Sequence, residues 1–252
     1  MKLVGDYHTH STYTHGVSSI EENVISAINK GLGQIAITEH AYKHMSNGIT
    51  RNGYKKMKAE IEALRIKYPQ IEILCGLECN LMGFDGKIDI DNSEINDYDI
   101  IVLGYHYTYK PYSIKNFFNF FLPSILKIKN KKRIEKNTQA YITAIEKNQI
   151  DILAHLNYGI KVDPIKIAKV AVEKQIYIEL NGKRINFSDE EIKGMIKTGV
   201  KFIINSDAHN AKNVGKNNQA YALIERLNIP NNQIINLNDY PKLKRYNVNK
   251  NY

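Results

Sequence analysis

Tryptophan is absent from the 252 residues, and cysteine is confined to Cys75 and Cys79. These two flank Gly76, Leu77 and Glu78 in one apolar stretch and read as buried thiols rather than a disulfide framework. No apolar run reaches the ~20 residues that a membrane-spanning helix needs. The most apolar segment, FFNFFLPSIL (117–126), is interrupted by Asn119 and Pro123. Residues 1–6 lack the apolar centre of a secretory signal, so a cytoplasmic protein without a membrane anchor is expected. Neither GxGxxG nor a P-loop occurs, which removes the usual support for a Rossmann-like or NTP-binding sheet. Repeats at solenoid periods are also missing.

The formal net charge is +9, and charged residues make up 24% of the chain. Lysine, asparagine and isoleucine are abundant throughout, so the basicity reads as compositional drift more readily than as a surface built for a polyanion.

Seven short runs rich in β-branched residues alternate with helical patterns: 4–7, 34–38, 71–76, 99–105, 151–155, 176–180 and 201–207. Near-continuous apolar strands of this kind are buried on both faces, as in parallel sheets. Ser19 with Glu22, and Ser188 with Glu191, form capping boxes, and Gly31 follows the first helix as a stop. An amphipathic helix over 54–68 closes at Pro69, and Asp163 before Pro164 opens another. Strand and helix alternating seven times predict an α/β fold, a closed or nearly closed β/α barrel. A single domain is expected, with a core of about 3–229, a long insertion at 108–136 and a polar, peripheral tail at 230–252.

On that plan the histidines fall into a pattern. His8 and His10 close the first strand, and His15 lies in the loop after it. His40 follows the second strand and His106 the fourth, His155 ends the fifth and His209 follows the seventh. Glu78 ends the third strand and Asp207 the seventh. In a β/α barrel the carboxyl ends of the strands meet on one face, so these residues converge there. Crowded imidazoles repel as cations and are costly as unpaired neutral donors, whereas divalent ions satisfy them together with the two carboxylates. His8 and His10, two apart on an extended strand, point to one side and can grip one ion; Asp207 and His209 repeat the spacing.

The ordered segments DYHTHSTYTHG, AITEH, GLE, GYH, AHL and NSDAH resemble the PHP (polymerase and histidinol phosphatase) family over roughly residues 3–215. The resemblance implies a distorted seven-stranded barrel, three divalent ions and phosphoesterase chemistry. It implies a first ion on His8, His10, Glu78 and Asp207, a second on Glu78, His106 and His155, and a third on His15, His40 and His209. Many members carry Asp where this chain has His15; imidazole favours Zn, Mn or Fe over Mg. A hydroxide between the first two ions is the expected nucleophile, with Glu78 and Asp207 as catalytic ligands.

Further residues keep two readings each. Arg184, in ELNGKR, is either the phosphate-binding arginine that the resemblance implies or a surface side chain. Asn181 either bonds substrate or caps the turn. His44 either protonates the leaving alkoxide or is a plain loop histidine. The insertion, with its phenylalanines and Lys127, Lys129, Lys131, Lys132 and Arg133, is either a lid over substrate or an oligomer contact. The expected function is hydrolysis of a small phosphomonoester. The alternatives are a nuclease acting on nucleic acid and a non-catalytic, metal-stabilised scaffold, which would be expected to have lost ligands that this chain retains. An amidohydrolase is disfavoured because GYH stands where that superfamily needs a lysine or carboxylate.

Overall fold

The computed structural model describes residues 2–246. Seven parallel strands follow one another in sheet order: β1 (Gly5–Thr9), β2 (Gln34–His40), β3 (Glu72–Asn80), β4 (Ile100–Gly104), β5 (Ile152–Leu153), β6 (Tyr177–Asn181) and β7 (Phe202–Asn205). Helices α1 (Ile20–Asn29) and α2 (Arg51–Lys67) follow β1 and β2. After β4 comes a broken helical passage of α3 (Ile114–Asn116), a π-helical turn (Phe117–Phe121) and α4 (Leu122–Ile125), then α5 (Lys131–Lys147). The helices α6 (Pro164–Glu173), α7 (Asp189–Thr198) and α8 (Asn218–Leu227) complete the ring. The expected seven-stranded α/β barrel is therefore the observed one. Among the described residues no helix is long and apolar enough to cross a membrane.

The local signals act as their chemistry dictates. Both capping boxes close, and Asp163 accepts hydrogen bonds from the Ile165 and Lys166 amides. Each such cap is worth about 1 kcal/mol. Helix α2 starts at Arg51, earlier than expected, because the Thr50 side chain accepts from the Gly53 amide. Cys75 and Cys79 are buried free thiols.

Strand alternation sorts the barrel interior into layers. Tyr7, Ala36, Leu74, Ile100, Ile152, Tyr177 and Ile203 belong to one buried apolar cluster. One or two pleats further along lie His40, Glu78, Glu179 and Asn205. On β1 the pairing with β2 slips between Asp6 and Thr9, admitting one extra residue. That bulge lets the neighbours Tyr7 and His8 both serve the interior, one in the apolar cluster and one in the polar layer above it.

One expectation needs correction. The polar tail is not peripheral over its described part. Asn236 and Leu243 are buried, Leu243 within the apolar cluster of the barrel interior. Between β1 and β7, which no continuous ladder joins, the Asn236 amide group donates to the carbonyls of Gly5 and Ile204 and accepts from the Ile204 amide. Arg245, 4% exposed, pairs with buried Asp151 and donates to the carbonyls of Tyr98 and Gln149. The polarity that made the tail look peripheral is what satisfies backbone groups at the seam. Residues 247–252 of the expected tail lie outside the described residues.

Part of the insertion's aromatic side is turned inward. Phe120 and Phe121 are buried and pack edge-on against Phe84, Tyr105 and Tyr109. Removing the seam residue tests this closure. Asn236→Ala leaves buried backbone groups unpaired and is expected to cost about 2–3 kcal/mol, read as a lower urea midpoint at unchanged slope.

Candidate metal centre

Glu78, 2% exposed on β3, is the hub of the barrel mouth. Its Oε2 lies 3.0 Å from His40 Nδ1, 3.4 Å from His8 Nε2 and 3.5 Å from His10 Nε2. Its Oε1 lies 2.8 Å from His155 Nε2 and 3.5 Å from His106 Nε2. Asp207 Oδ1 stands 3.7 Å from His10 Nε2 and 3.3 Å from His209 Nδ1. The rings of His15 and His209 meet at 4.1 Å, and those of His15 and His40 stack at 4.8 Å. All nine residues expected as ligands thus gather at one place.

Their grouping differs in part from the expected sets. His8 and His10 converge with Asp207, and His10 also joins His15, His40 and His209; Glu78 converges once with His8 and His155 and once with His40 and His106. In each group the potential ligand atoms lie within 4.8 Å of one another.

The backbone is bent to achieve this. His155 (φ 30°) and Asp207 (φ 51°) leave their strands in left-handed conformation, which costs a non-glycine residue about 1–3 kcal/mol and persists where surrounding structure demands it. At Gly104 a Cβ would meet His155 Cε1 at 2.7 Å and Glu78 Oε1 at 3.0 Å, so only glycine leaves room for that pair.

A second layer, not anticipated from the sequence, holds the first. Glu179, 1% exposed, meets His8 Nδ1 at 2.7 Å and accepts from the amides of His155, Asn181 and Asn205. A carboxylate on the far ring nitrogen fixes the imidazole's orientation and turns its other nitrogen toward a ligand. Glu39 accepts from Ser11 and Thr14 behind His10, and burial pushes its carboxyl up to about 7. The signal for Glu179 was present as a lone charge inside the apolar run YIEL.

Against the pull of burial, the carboxylates of Glu78 and Glu179 raise His8 and His155 above the ordinary imidazole value. Burial works to raise the Glu78 carboxyl, yet the imidazoles of His106, His8 and His40 hold it well below the usual range. Burial pushes His10 and His106 well below the ordinary imidazole value, and His15 down to about 4. His8 Nε2, both ring nitrogens of His10, His15 Nδ1 and His155 Nδ1 are buried without a hydrogen-bond partner. Unpaired buried nitrogens beside ionised carboxylates fit divalent metal.

Above the centre opens a cavity of about 270 Å³ lined by Asn47, Thr108, Tyr158, Lys183 and Arg184 as well as the histidines. The Arg184 guanidinium lies 5.0 Å over the Tyr158 ring. Lys183 Nζ, which sequence reasoning passed over, stands 3.2 Å from Asp207 Oδ1 and 2.8 Å from His209 Nδ1. Asn181 takes its turn-capping reading: its Oδ1 accepts from the amides of Lys183 and Arg184, and its Nδ2 donates to Glu179. His44 Nδ1 accepts from the Asn47 amide and Nε2 meets Thr108 Oγ1 at 2.5 Å. Burial, with His40 adding to it, lowers His44 to about 4. Both its nitrogens are engaged and its ring lines the cavity.

A parallel β/α barrel with imidazoles and carboxylates converging at its mouth defines a metal-dependent hydrolase scaffold. The model of the PHP domain family matches residues 6–183, and the chain belongs to that family. It is 32% identical over 258 residues to a probable phosphatase of Thermoanaerobacter sp. (strain X514), covering 98% of this chain and 95% of that protein. It is 29% identical over 219 residues to the DNA polymerase/3'-5' exonuclease PolX of Bacillus subtilis (strain 168), covering 83% of this chain and only 35% of that longer protein. Among solved structures it resembles histidinol phosphate phosphatase from Lactococcus lactis subsp. lactis Il1403, complexed with zinc, L-histidinol and phosphate. That similarity has a TM-score of 0.61 at 21% identity and covers 90% of this chain and 94% of the other, which supports the shared fold.

The supporting carboxylate gives the test of this centre. Glu179→Gln keeps the side chain's shape but weakens its hold on His8, and metal affinity is expected to fall ~10–100-fold, measured by competition with a chelating dye.

Proposed function

We propose that the protein is a metal-dependent phosphatase acting on small phosphomonoesters. The observation that carries this reading is the convergence of Glu78, Asp207 and seven imidazoles beneath a small cavity whose rim bears two cations, Lys183 and Arg184. His8 with His10 and Asp207, Glu78 with His8 and His155, Glu78 with His40 and His106, and His10 with His15, His40 and His209 offer overlapping donor sets, which would together hold three divalent ions, zinc, manganese or iron. When bound, such ions lower the pKa of water towards neutrality and offset charge on a phosphoryl group.

The chain's own residues do the rest. Glu78 and Asp207 remain ionised and available as shared ligands. Glu179 holds His8 in one orientation, so the donor set is organised before substrate arrives. Arg184, propped over Tyr158, offers two parallel N–H donors to phosphate oxygens. Lys183 adds a compact positive charge from the neighbouring position, and Asn181 fixes the turn that presents both.

The cavity suits a phosphate on a small molecule rather than a polymer. A nucleic-acid substrate calls for a basic groove that follows several successive phosphates, and the cations named here stand side by side on one rim. Similarity to PolX keeps nuclease activity as the second reading. Histidinol phosphate is a candidate substrate through the Lactococcus neighbour.

A panel of histidinol phosphate, other phosphomonoesters, a phosphodiester and single-stranded DNA, each with Zn, Mn or Fe, separates the readings. Monoester turnover should exceed the rest, and a chelator should abolish it. His106→Ala and Asp207→Ala are each expected to lower kcat ~100-fold or more; intact activity in either would displace the site. Arg184→Ala should lower kcat/KM for phosphomonoesters ~10-fold or more.

A further inference from the structure

Twelve large apolar side chains stand exposed among the described residues, and six of them lie between positions 112 and 128: Tyr112, Ile114, Phe118, Ile125, Leu126 and Ile128. Scattered exposed apolar residues are ordinary, but half the set within so short a segment is not. Ile114 is 80% exposed, Leu126 62% and Phe118 59%. Across α3, the π-helical turn and α4, the positions Ile114, Phe118, Leu122 and Ile125 recur at helical spacing. Asn116, Phe120, Phe121 and Ser124 of the same passage are buried. The passage therefore carries apolar side chains outward as well as inward, and so dense an exposed apolar patch marks an interaction site.

Charge narrows the choice of cover. No Asp or Glu occurs from 110 to 134, and Lys115, Lys127, Lys129, Lys131 and Lys132 are all exposed there. Arg133 is committed inward, over Phe84 and to the carbonyls of Asn119 and Phe120. A second copy joined about a two-fold axis would bring two copies of the same lysine-rich, acid-free patch together. The apolar side chains are also spread over a broken helix and the irregular stretch after it, which suits a deformable surface better than a rigid complementary one. Long lysine stems at the edge of an apolar face let it sink while the ammonium groups stay at headgroup level.

We propose that the 112–132 segment is a peripheral binding surface for the anionic face of a lipid bilayer, with Ile114, Phe118, Ile125, Leu126 and Ile128 entering the interface and the lysines pairing with headgroups. Binding of this kind needs no spanning helix, and it is independent of the chemistry at the barrel mouth.

Co-sedimentation of the full chain with vesicles tests it, comparing phosphatidylcholine alone with an equal mixture of phosphatidylcholine and phosphatidylglycerol. Binding is expected to the mixture only and to weaken as salt rises. Two variants divide the contributions: Phe118→Asp with Leu126→Asp, and Lys127→Gln, Lys129→Gln, Lys131→Gln and Lys132→Gln together. Each should lower vesicle affinity ~10-fold or more. Unchanged hydrolysis of p-nitrophenyl phosphate or an unchanged circular dichroism spectrum reports that the fold is intact. Wild-type protein left in the supernatant with both vesicles would overturn the proposal, as would binding that survives in both variants. A dimer in sedimentation velocity that Phe118→Asp with Leu126→Asp dissolves would assign the patch to self-association instead.

Discussion

Glu78 is a carboxylate sealed inside a barrel with five imidazoles within 3.5 Å of its two oxygens. Burying an ionised group is costly unless opposite charge and hydrogen bonds compensate. The fold meets that cost by construction. β2 brings His40 beside Glu78 in register, the β1 bulge turns His8 inward, and Gly104 clears the space that His155 enters. Left-handed backbone at His155 and Asp207 belongs to the same arrangement, since strain at two strand exits is tolerated where it completes a donor set.

The rest of the barrel answers to that centre. An apolar cluster fills its interior, and Glu179 with Glu39 backs the histidines from behind. The seam between β1 and β7 is sealed by Asn236, while Arg245, in the final described turn, neutralises Asp151 at the start of β5. A mouth that must hold its donors in place is thus supported by residues distant in sequence, some of them from a segment whose composition looks like a loose end.

Much of this was legible beforehand. Buried parallel strands announce themselves as unbroken apolar runs, and the caps at Ser19, Asp163 and Ser188 mark helix starts through chemistry confined to a few neighbours. The histidines were legible because each follows or ends such a run, so one inference about strand ends places all of them. Glu179 escaped notice although it is a charge within an apolar strand, because its role exists only through His8 and His155. That His106 faces Glu78 beside His40 depends on how far each strand reaches past its neighbour.

Local pattern alone therefore determined the seven-fold alternation, the helix boundaries near their caps and the nine candidate donors at strand ends, since periodicity and capping act over a few residues. Tertiary structure decided which donors share a neighbourhood, which carboxylate stands behind which imidazole, and that Asn236 and Arg245 belong to the barrel. Those outcomes turn on register, on one bulge and on closure of a curved sheet. No short stretch of chain encodes such quantities, because each is a relation between segments far apart along it.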